Sequence, residues 1–130
     1  MTSYPYSRES RLLTPAHFQT VFSNPPVKAV TSQLTMLASP NQQGQARIGV
    51  VIGKKRAKRA VDRNRIKRQI RESFRLKQYK IPAFDIVIIA KSGITDLNND
   101  ELRRLLDKLW SKLSRRCEQY QSQSSASTKS

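Results

Sequence analysis

The chain has 130 residues, and its 25 Lys and Arg against nine acidic residues give a formal net charge of +16. This length fits one domain whose core lies between two layers of secondary structure. No apolar run approaches the roughly 18 residues needed to cross a bilayer, and the first residues lack the apolar segment of a secretory signal. The composition therefore argues against membrane-spanning and exported proteins, and we expect a cytoplasmic one.

The first predicted element is a short helix. Residues 1–13 are predicted to be an irregular lead-in. A helix is predicted over 15–23, because a hydroxyl residue that can cap it precedes a proline suited to its first turn, and the Asn-Pro-Pro at 24–26 ends it. Phe18 and Phe22 lie four residues apart on this helix.

Four segments have the composition of β-strands. Three follow the first helix, at 27–30, 33–38 and 47–53, and a turn at 40–44 joins the last two. The fourth, at 85–91, is a nearly continuous run of branched residues, which predicts a strand covered on both faces.

A strongly basic segment separates the third strand from the fourth. The stretch 47–80 contains fourteen Lys and Arg against two acids, which supplies +12 of the net charge. Within it Ile66, Ile70 and Phe74 recur every four residues, which predicts a helix over about 58–76 with one apolar stripe. At 100° per residue, the pole opposite this stripe holds four polar residues: Asn64, Arg68, Arg71 and Arg75.

The last predicted helix has the clearest apolar period in the chain. Asn98 and Glu101 have the spacing of a capping box. The single cysteine, Cys117, falls on the apolar stripe, so we expect a buried structural thiol. Residues 119–130 are rich in Ser and Gln and are predicted to be a disordered polar tail, which leaves 1–118 as one domain. The apolar stripe of the last predicted helix consists of Leu102, Leu105, Leu106, Leu109, Trp110, Leu113 and Cys117.

The predicted element order is αβββαβα. This order indicates an α+β fold, a small two-layer sandwich with a mixed four-stranded sheet.

The side chains offer little for catalysis by the protein itself. His17 is the only histidine and Cys117 the only cysteine, and the acids show no metal-ligand spacing. Gly49 and Gly53 precede Lys54 without the spacing of a phosphate-binding loop. We therefore expect no catalytic residue, no metal site and no small-molecule cofactor in the chain.

The charge favours nucleic acid over a membrane as partner. The stripe of the basic helix is too narrow for an interfacial helix. Few acids are available to pair with its cations, and Arg outnumbers Lys from 63 to 75, as expected where guanidinium groups contact phosphate. A structural RNA-binding protein of the ribosomal type and a DNA-compacting protein would share this charge and stay open as alternatives.

The two phenylalanines of the first helix have two interpretations. A Phe pair at this spacing on a short helix is more often part of a core. If Phe18 and Phe22 instead lie open beside Lys54 and Lys55, they form a stacking site for unpaired bases.

Three segments of the chain together strongly resemble the signature of the bacterial ribonuclease P protein family. They are Arg47-Ile48-Gly49-Val50 with Lys54-Lys55, then Arg63-Asn64-Arg65-Ile66-Lys67-Arg68, and Arg71-Glu72-Ser73-Phe74-Arg75. The resemblance covers roughly residues 8–117, through similarities at 17–22, 85–91 and 105–110.

The resemblance implies a protein cofactor of a catalytic RNA, which removes the 5′ leader of precursor tRNA by Mg²⁺-dependent hydrolysis. The RNA would carry the chemistry, and the RNA and the substrate would bind most of the Mg²⁺. The family fold implies a left-handed βαβ crossover around the basic helix, against the usual right-handed sense.

The resemblance also implies the roles of particular residues. Contacts to the catalytic RNA would come from Arg63, Asn64, Arg65, Lys67, Arg68 and Arg71. The single-stranded leader of the precursor tRNA would lie in a cleft formed by Phe18, Phe22, Lys54, Lys55 and Lys91. Many family members have an aromatic residue on the second strand facing this cleft, where this sequence has Leu37.

Overall fold

The computed structural model describes residues 15–23, 25–41, 44–53 and 59–129. Within these ranges three α-helices and four β-strands follow one another in the predicted order αβββαβα, which is confirmed. The predicted lead-in at 1–13 lies outside the described residues. The elements are α1 (Pro15–Ser23), β1 (Val27–Val30), β2 (Leu34–Pro40), β3 (Arg47–Val51), α2 (Ala60–Lys77), β4 (Phe84–Ala90) and α3 (Asn99–Lys129), with 3₁₀ turns at Gln78–Lys80 and Ile94–Asp96.

The four strands form one mixed sheet in the order β1-β2-β4-β3. β1 and β2 are antiparallel, as are β2 and β4, whereas β3 and β4 are parallel. α2 therefore belongs to the crossover that joins the parallel pair, and its left-handed sense stays a prediction. β4 has a neighbour on each side and is buried along nearly its whole length, which confirms that this strand is covered on both faces.

The main core lies between one face of the sheet and the two longer helices. The sheet contributes Ile48, Ile86 and Ile88, and the apolar stripes of α2 and α3 cover them. Phe74 of α2 and Trp110 of α3 meet with ring centroids 5.9 Å apart, and the Trp110 indole N–H donates to Ser73 Oγ at 2.7 Å. The buried residues of α2 are Ile66, Ile70, Ser73 and Phe74, so the predicted stripe is confirmed.

α1 packs on the opposite face of the sheet. Alternate side chains of a strand point to opposite faces, and Val87 and Ile89 of β4 form a second cluster with α1 rather than joining the main core. Val21 of α1 is fully buried there. The two-layer description thus fits the sheet with α2 and α3, and α1 adds a short third layer. Because α1 lies on this face, the sheet separates the surface around α1 from the surface around α2 and α3.

α3 begins as predicted and ends later. Both halves of the capping box form: the Asn98 N–H donates to Glu101 Oε1 at 2.9 Å, and the Glu101 N–H donates to Asn98 Oδ1 at 2.8 Å. The helix continues to Lys129, through most of the segment predicted as a disordered tail. Tyr120 supplies one reason, because its ring meets that of Phe84 edge-on at 6.2 Å and extends the tertiary packing beyond Cys117.

Cys117 has the environment of a structural thiol. Its side chain is fully buried in the main core, as its position on the stripe predicted. Burial, with a smaller effect from Glu118, raises the pKa of the thiol to about 12. The thiolate, which is the reactive form, is therefore disfavoured in the folded chain.

A buried ion pair joins the two parallel strands. Arg47 and Asp85 are register partners on β3 and β4, and the guanidinium donates to both carboxylate oxygens, at 2.7 and 2.8 Å. Their side chains are only 11% and 9% exposed. Asn41 adds a third donor to the same carboxylate at 2.8 Å. Asp85 therefore holds β3, β4 and the end of β2 together.

We predict that Asp85→Ala lowers the free energy of unfolding by about 3–5 kcal/mol, because it leaves the buried Arg47 guanidinium without its partner. Urea denaturation followed by circular dichroism measures this loss. Asp107→Ala, at an exposed position of α3, is the matched control and should change stability by less than about 0.5 kcal/mol. A loss from Asp85→Ala no larger than the control's would contradict the assignment.

Candidate nucleic-acid interface

The cationic surface of α2 points away from the core. The helix carries seven Lys and Arg against two acids, Asp62 and Glu72. The pole opposite its buried stripe is solvent-exposed, as predicted, and consists of Asn64, Arg68, Arg71 and Arg75. We call these four residues the outward face of α2.

The predicted contacts to catalytic RNA fall into different environments along α2. Asn64, Arg68 and Arg71 belong to the exposed outward face, whereas Arg63 and Lys67 are half-buried on one flank. The structure therefore brings five of the six predicted residues onto one continuous side of the helix. Accessible guanidinium and ammonium groups are the side chains that most often contact phosphate.

Arg65, the sixth predicted residue, points toward α3. Its guanidinium donates to the Leu97 carbonyl at 3.2 Å and to Asn99 Oδ1 at 2.9 Å. Part of its hydrogen-bonding capacity is thus used within the protein, to tie α2 to the start of α3. A guanidinium has five N–H donors, so the remaining ones can still reach phosphate. Sequence reasoning missed this structural role because the partners lie 32 and 34 residues away along the chain.

Arg75 has a carboxylate partner on its own helix. It donates to both oxygens of Glu72, at 3.1 and 2.5 Å. The pKa of the Glu72 carboxyl is lowered, chiefly because it accepts these hydrogen bonds from Arg75. The pair is exposed, so its contribution to stability is small. The pair offsets part of the positive charge at the Arg75 end of the outward face.

The two phenylalanines of α1 form a stacked pair on the other side of the sheet. Their ring centroids are 6.4 Å apart and the rings are inclined by 21°. Phe18 is half-buried against the sheet cluster, whereas Phe22 is 46% exposed. The core interpretation therefore fits Phe18, which packs against the sheet. Phe22 instead offers a face to solvent, as a stacking site requires.

Gly49 of β3 makes room for the Phe18 ring. A Cβ added at this glycine would lie 2.3 Å from Phe18 Cζ, far inside van der Waals contact. The sequence signal was present, because an isolated glycine in a strand often marks a close approach. Leu37 of β2 belongs to the same cluster as Phe18, so it faces α1 at the position where many family members were expected to have an aromatic residue.

The three lysines predicted for the leader cleft have different outcomes. Lys54 and Lys55 lie outside the described residues. Lys91 follows β4, and its ammonium donates to the Thr31 carbonyl at 2.7 Å. This bond fixes a half-buried cation at the end of the sheet, beside the turn between β1 and β2.

The described residues contain no group of three His, Cys, Asp or Glu side chains that could hold a metal ion. Among the same residues, no helix has both the length and the apolar character needed to cross a membrane. His17 of α1 is half-buried and has a contact within the protein. What the two surfaces offer is charge on one side of the sheet and an aromatic ring on the other.

Comparisons with known proteins agree on one family. The Ribonuclease P family model matches residues 6–114. The chain is 72% identical over 122 residues to the ribonuclease P protein component of Idiomarina loihiensis, which covers 94% of this chain and 98% of that protein. The RNase P protein of Staphylococcus aureus is similar in structure, with a TM-score of 0.73, 28% identity and coverage of 81% of this chain and 97% of that one. The RNase P protein of Thermotoga maritima is also similar in structure, with a TM-score of 0.67, 28% identity and coverage of 78% of this chain and 96% of that one.

We predict that Gly49→Ala lowers the free energy of unfolding by about 1–3 kcal/mol, because the new methyl group overpacks the contact with Phe18. Thermal or urea denaturation measures the change. Gly53→Ala is the matched control, because a Cβ added at Gly53 has no atom of the described residues within 4 Å. The free energy of unfolding of this variant should stay within about 1 kcal/mol of that of the parent. Equal effects of the two substitutions would show that Phe18 does not lie on Gly49.

Proposed function

The chain belongs to the ribonuclease P protein family and serves tRNA 5′ processing as a protein subunit of the ribonuclease P endoribonuclease; from this premise we propose that its two sides bind different RNAs. The side that carries α2 binds the catalytic RNA, and the side that carries α1 binds the single-stranded 5′ leader of precursor tRNA. The observation that supports this division is the position of the sheet, which separates the exposed cations of α2 from the exposed ring of Phe22.

The outward face of α2 suits a folded RNA. Arg68 and Arg71 are exposed one helical turn apart, and the buried stripe of the helix fixes their orientation. Cations held in this way displace counterions from RNA phosphates, which is the main source of affinity in such complexes. Arg63, Asn64, Arg65 and Lys67 complete the proposed contact surface.

The α1 side suits an unpaired strand. Phe22 offers an exposed ring that Phe18 supports from behind, and single strands are commonly held by stacking of bases on aromatic rings beside a basic groove. Lys54, Lys55 and Lys91 would supply the cations of that groove. Leu37 contributes an apolar surface in place of the aromatic residue expected on β2, so we propose that stacking of the leader depends on the phenylalanines of α1.

The chemistry is proposed to reside in the RNA. Mg²⁺ would be held by the catalytic RNA and the substrate and would supply the activated water for hydrolysis. The protein's residues would raise the affinity for the precursor and neutralise phosphate charge near the reacting strand. We place this activity in the cytoplasm, where precursor tRNA is found.

Two other functions make different predictions. A structural RNA-binding protein of the ribosomal type would have the charge of α2 but no use for a leader cleft, and its affinity for precursor tRNA would not depend on the leader. A DNA-compacting protein would bind duplex DNA as tightly as folded RNA. Membership in the ribonuclease P family favours neither.

The proposal predicts that the two sides can be impaired separately. Arg68→Ala should weaken binding to the catalytic RNA by about 1–3 kcal/mol and make the salt dependence of that binding shallower. Phe22→Ala should leave that binding unchanged and weaken binding of a precursor with a long leader by about 1–3 kcal/mol. Filter binding with catalytic RNA from the same cell, then with precursors of different leader lengths, measures both.

Activity supplies the control for these binding measurements. The unaltered chain should increase precursor tRNA cleavage by the catalytic RNA at low Mg²⁺, and each variant should reduce this gain. The absence of any gain from the unaltered chain would remove the proposed function. A Phe22→Ala effect that is the same with and without a leader would remove the leader site alone.

A further inference from the structure

A groove that none of the assignments above uses runs between the end of α2 and the middle of α3. The 3₁₀ turn Gln78–Lys80 forms one of its ends. Its volume is about 550 Å³, within the roughly 300–1,000 Å³ typical of sites for small ligands. Three cations, two hydroxyl groups and one phenol line it: Lys77, Lys80, Arg115, Ser111, Ser114 and Tyr79. We call it the α2–α3 groove.

The cations of the α2–α3 groove are available to a ligand. Among the described residues, no carboxylate forms an ion pair with Lys77, Lys80 or Arg115. Glu118 is the one acid that lines the groove. A concave surface with an excess of unpaired cations concentrates positive potential and attracts anions. The charge of the groove therefore suits an anionic ligand such as a phosphate group.

Tyr79 places an aromatic ring at the edge of this charged groove. Tyr79 is 72% exposed, yet its backbone is held by the 3₁₀ turn. The preceding residue anchors the turn, because Gln78 is buried and its amide donates to the Arg75 carbonyl at 3.1 Å. Lone exposed tyrosines are common, but an aromatic ring on an anchored turn, beside three cations that form no ion pair with the described carboxylates, has the composition of sites that stack unpaired bases.

The position of the groove identifies the RNA it would meet. α2 and α3 cover the same face of the sheet, whereas the proposed leader site lies with α1 on the other face. A second hollow of about 280 Å³ shares Lys77 and Lys80 with the groove and extends along α2 to Glu72, which pairs with Arg75 of the outward face. An RNA bound to the outward face can therefore continue into the groove without crossing the protein.

We propose that the α2–α3 groove binds an unpaired nucleotide of the catalytic RNA. The base stacks on Tyr79, the phosphate is held by Lys77, Lys80 and Arg115, and the hydroxyls of Ser111 and Ser114 can bond the sugar or phosphate oxygens. This proposal rests on the proposed function, since it extends the contact of α2 with the same RNA. It also gives α3 a part in recognition.

The test measures affinity for the complete catalytic RNA with no precursor tRNA present. Tyr79→Ala should weaken binding roughly tenfold, and Tyr79→Phe, which keeps the ring, should stay within about twofold of the parent. Lys80→Ala with Arg115→Ala should weaken binding and reduce its salt dependence. Lys28→Ala, which removes an exposed cation on β1, is the matched control and should have little effect. Circular dichroism of each variant checks that it is folded.

Arg68→Ala measured in parallel separates this proposal from the proposed function. If Arg68→Ala weakens binding and Tyr79→Ala does not, the groove assignment is wrong and the assignment of α2 stands. If neither changes the affinity, both assignments fail. If Tyr79→Ala weakens binding of the precursor alone, the groove holds substrate rather than catalytic RNA, and the proposal is likewise overturned.

Discussion

The packing of α2 against the sheet and α3 is the constraint on which the rest of the structure depends. Alone, this helix would be disfavoured, because its cations repel one another at i,i+4 spacing: Arg63 with Lys67, Lys67 with Arg71, and Arg71 with Arg75. These three repulsions amount to about 1 kcal/mol. Burial of the apolar stripe offers about 5–9 kcal/mol, at about 1.5–3 kcal/mol for each of three large side chains. Tertiary packing therefore stabilises a helix that its local charge interactions destabilise.

In the proposed function, the same packing determines where each RNA would bind. With α2 and α3 on one face of the sheet, the outward face of α2 and the α2–α3 groove become parts of one basic surface. The opposite face is left to α1, whose short length leaves Phe22 partly open. Two contacts stabilise this arrangement away from α2. Gly49 lets Phe18 lie close to β3, and the ion pair of Arg47 with Asp85 joins the parallel strands β3 and β4.

Local patterns in the sequence predicted the elements well, because those patterns arise from contacts a few residues apart. The stripe of Ile66, Ile70 and Phe74 depends on the helical period alone, and the capping box of Asn98 and Glu101 on a spacing of three residues. The ion pair of Arg47 with Asp85 was not predicted, since its partners are 38 residues apart and only the parallel register brings them together. The α2–α3 groove was missed for the same reason, because no single segment contains it.

Two further features could not be predicted from local patterns. They are the face of the sheet on which α1 packs and the residue at which α3 ends. A nine-residue helix can pack on either face of a sheet, and only the three-dimensional arrangement decides which. The polar composition after Gln119 gave no sign of a helix, whereas the contact of Tyr120 with Phe84 extends α3. The division of labour between protein and RNA came from family resemblance rather than from these physical patterns.

Site-specific photo-crosslinking tests most directly whether the outward face of α2 contacts the catalytic RNA. A photoreactive phenylalanine analogue replaces Arg68 in one preparation and Val30, which is exposed on β1 at the far edge of the sheet, in another. Each protein is assembled with the catalytic RNA in the absence of precursor tRNA. The account predicts a crosslink to the RNA from position 68 and none from position 30. A crosslink from position 30 alone, in assemblies that retain activity, would contradict it.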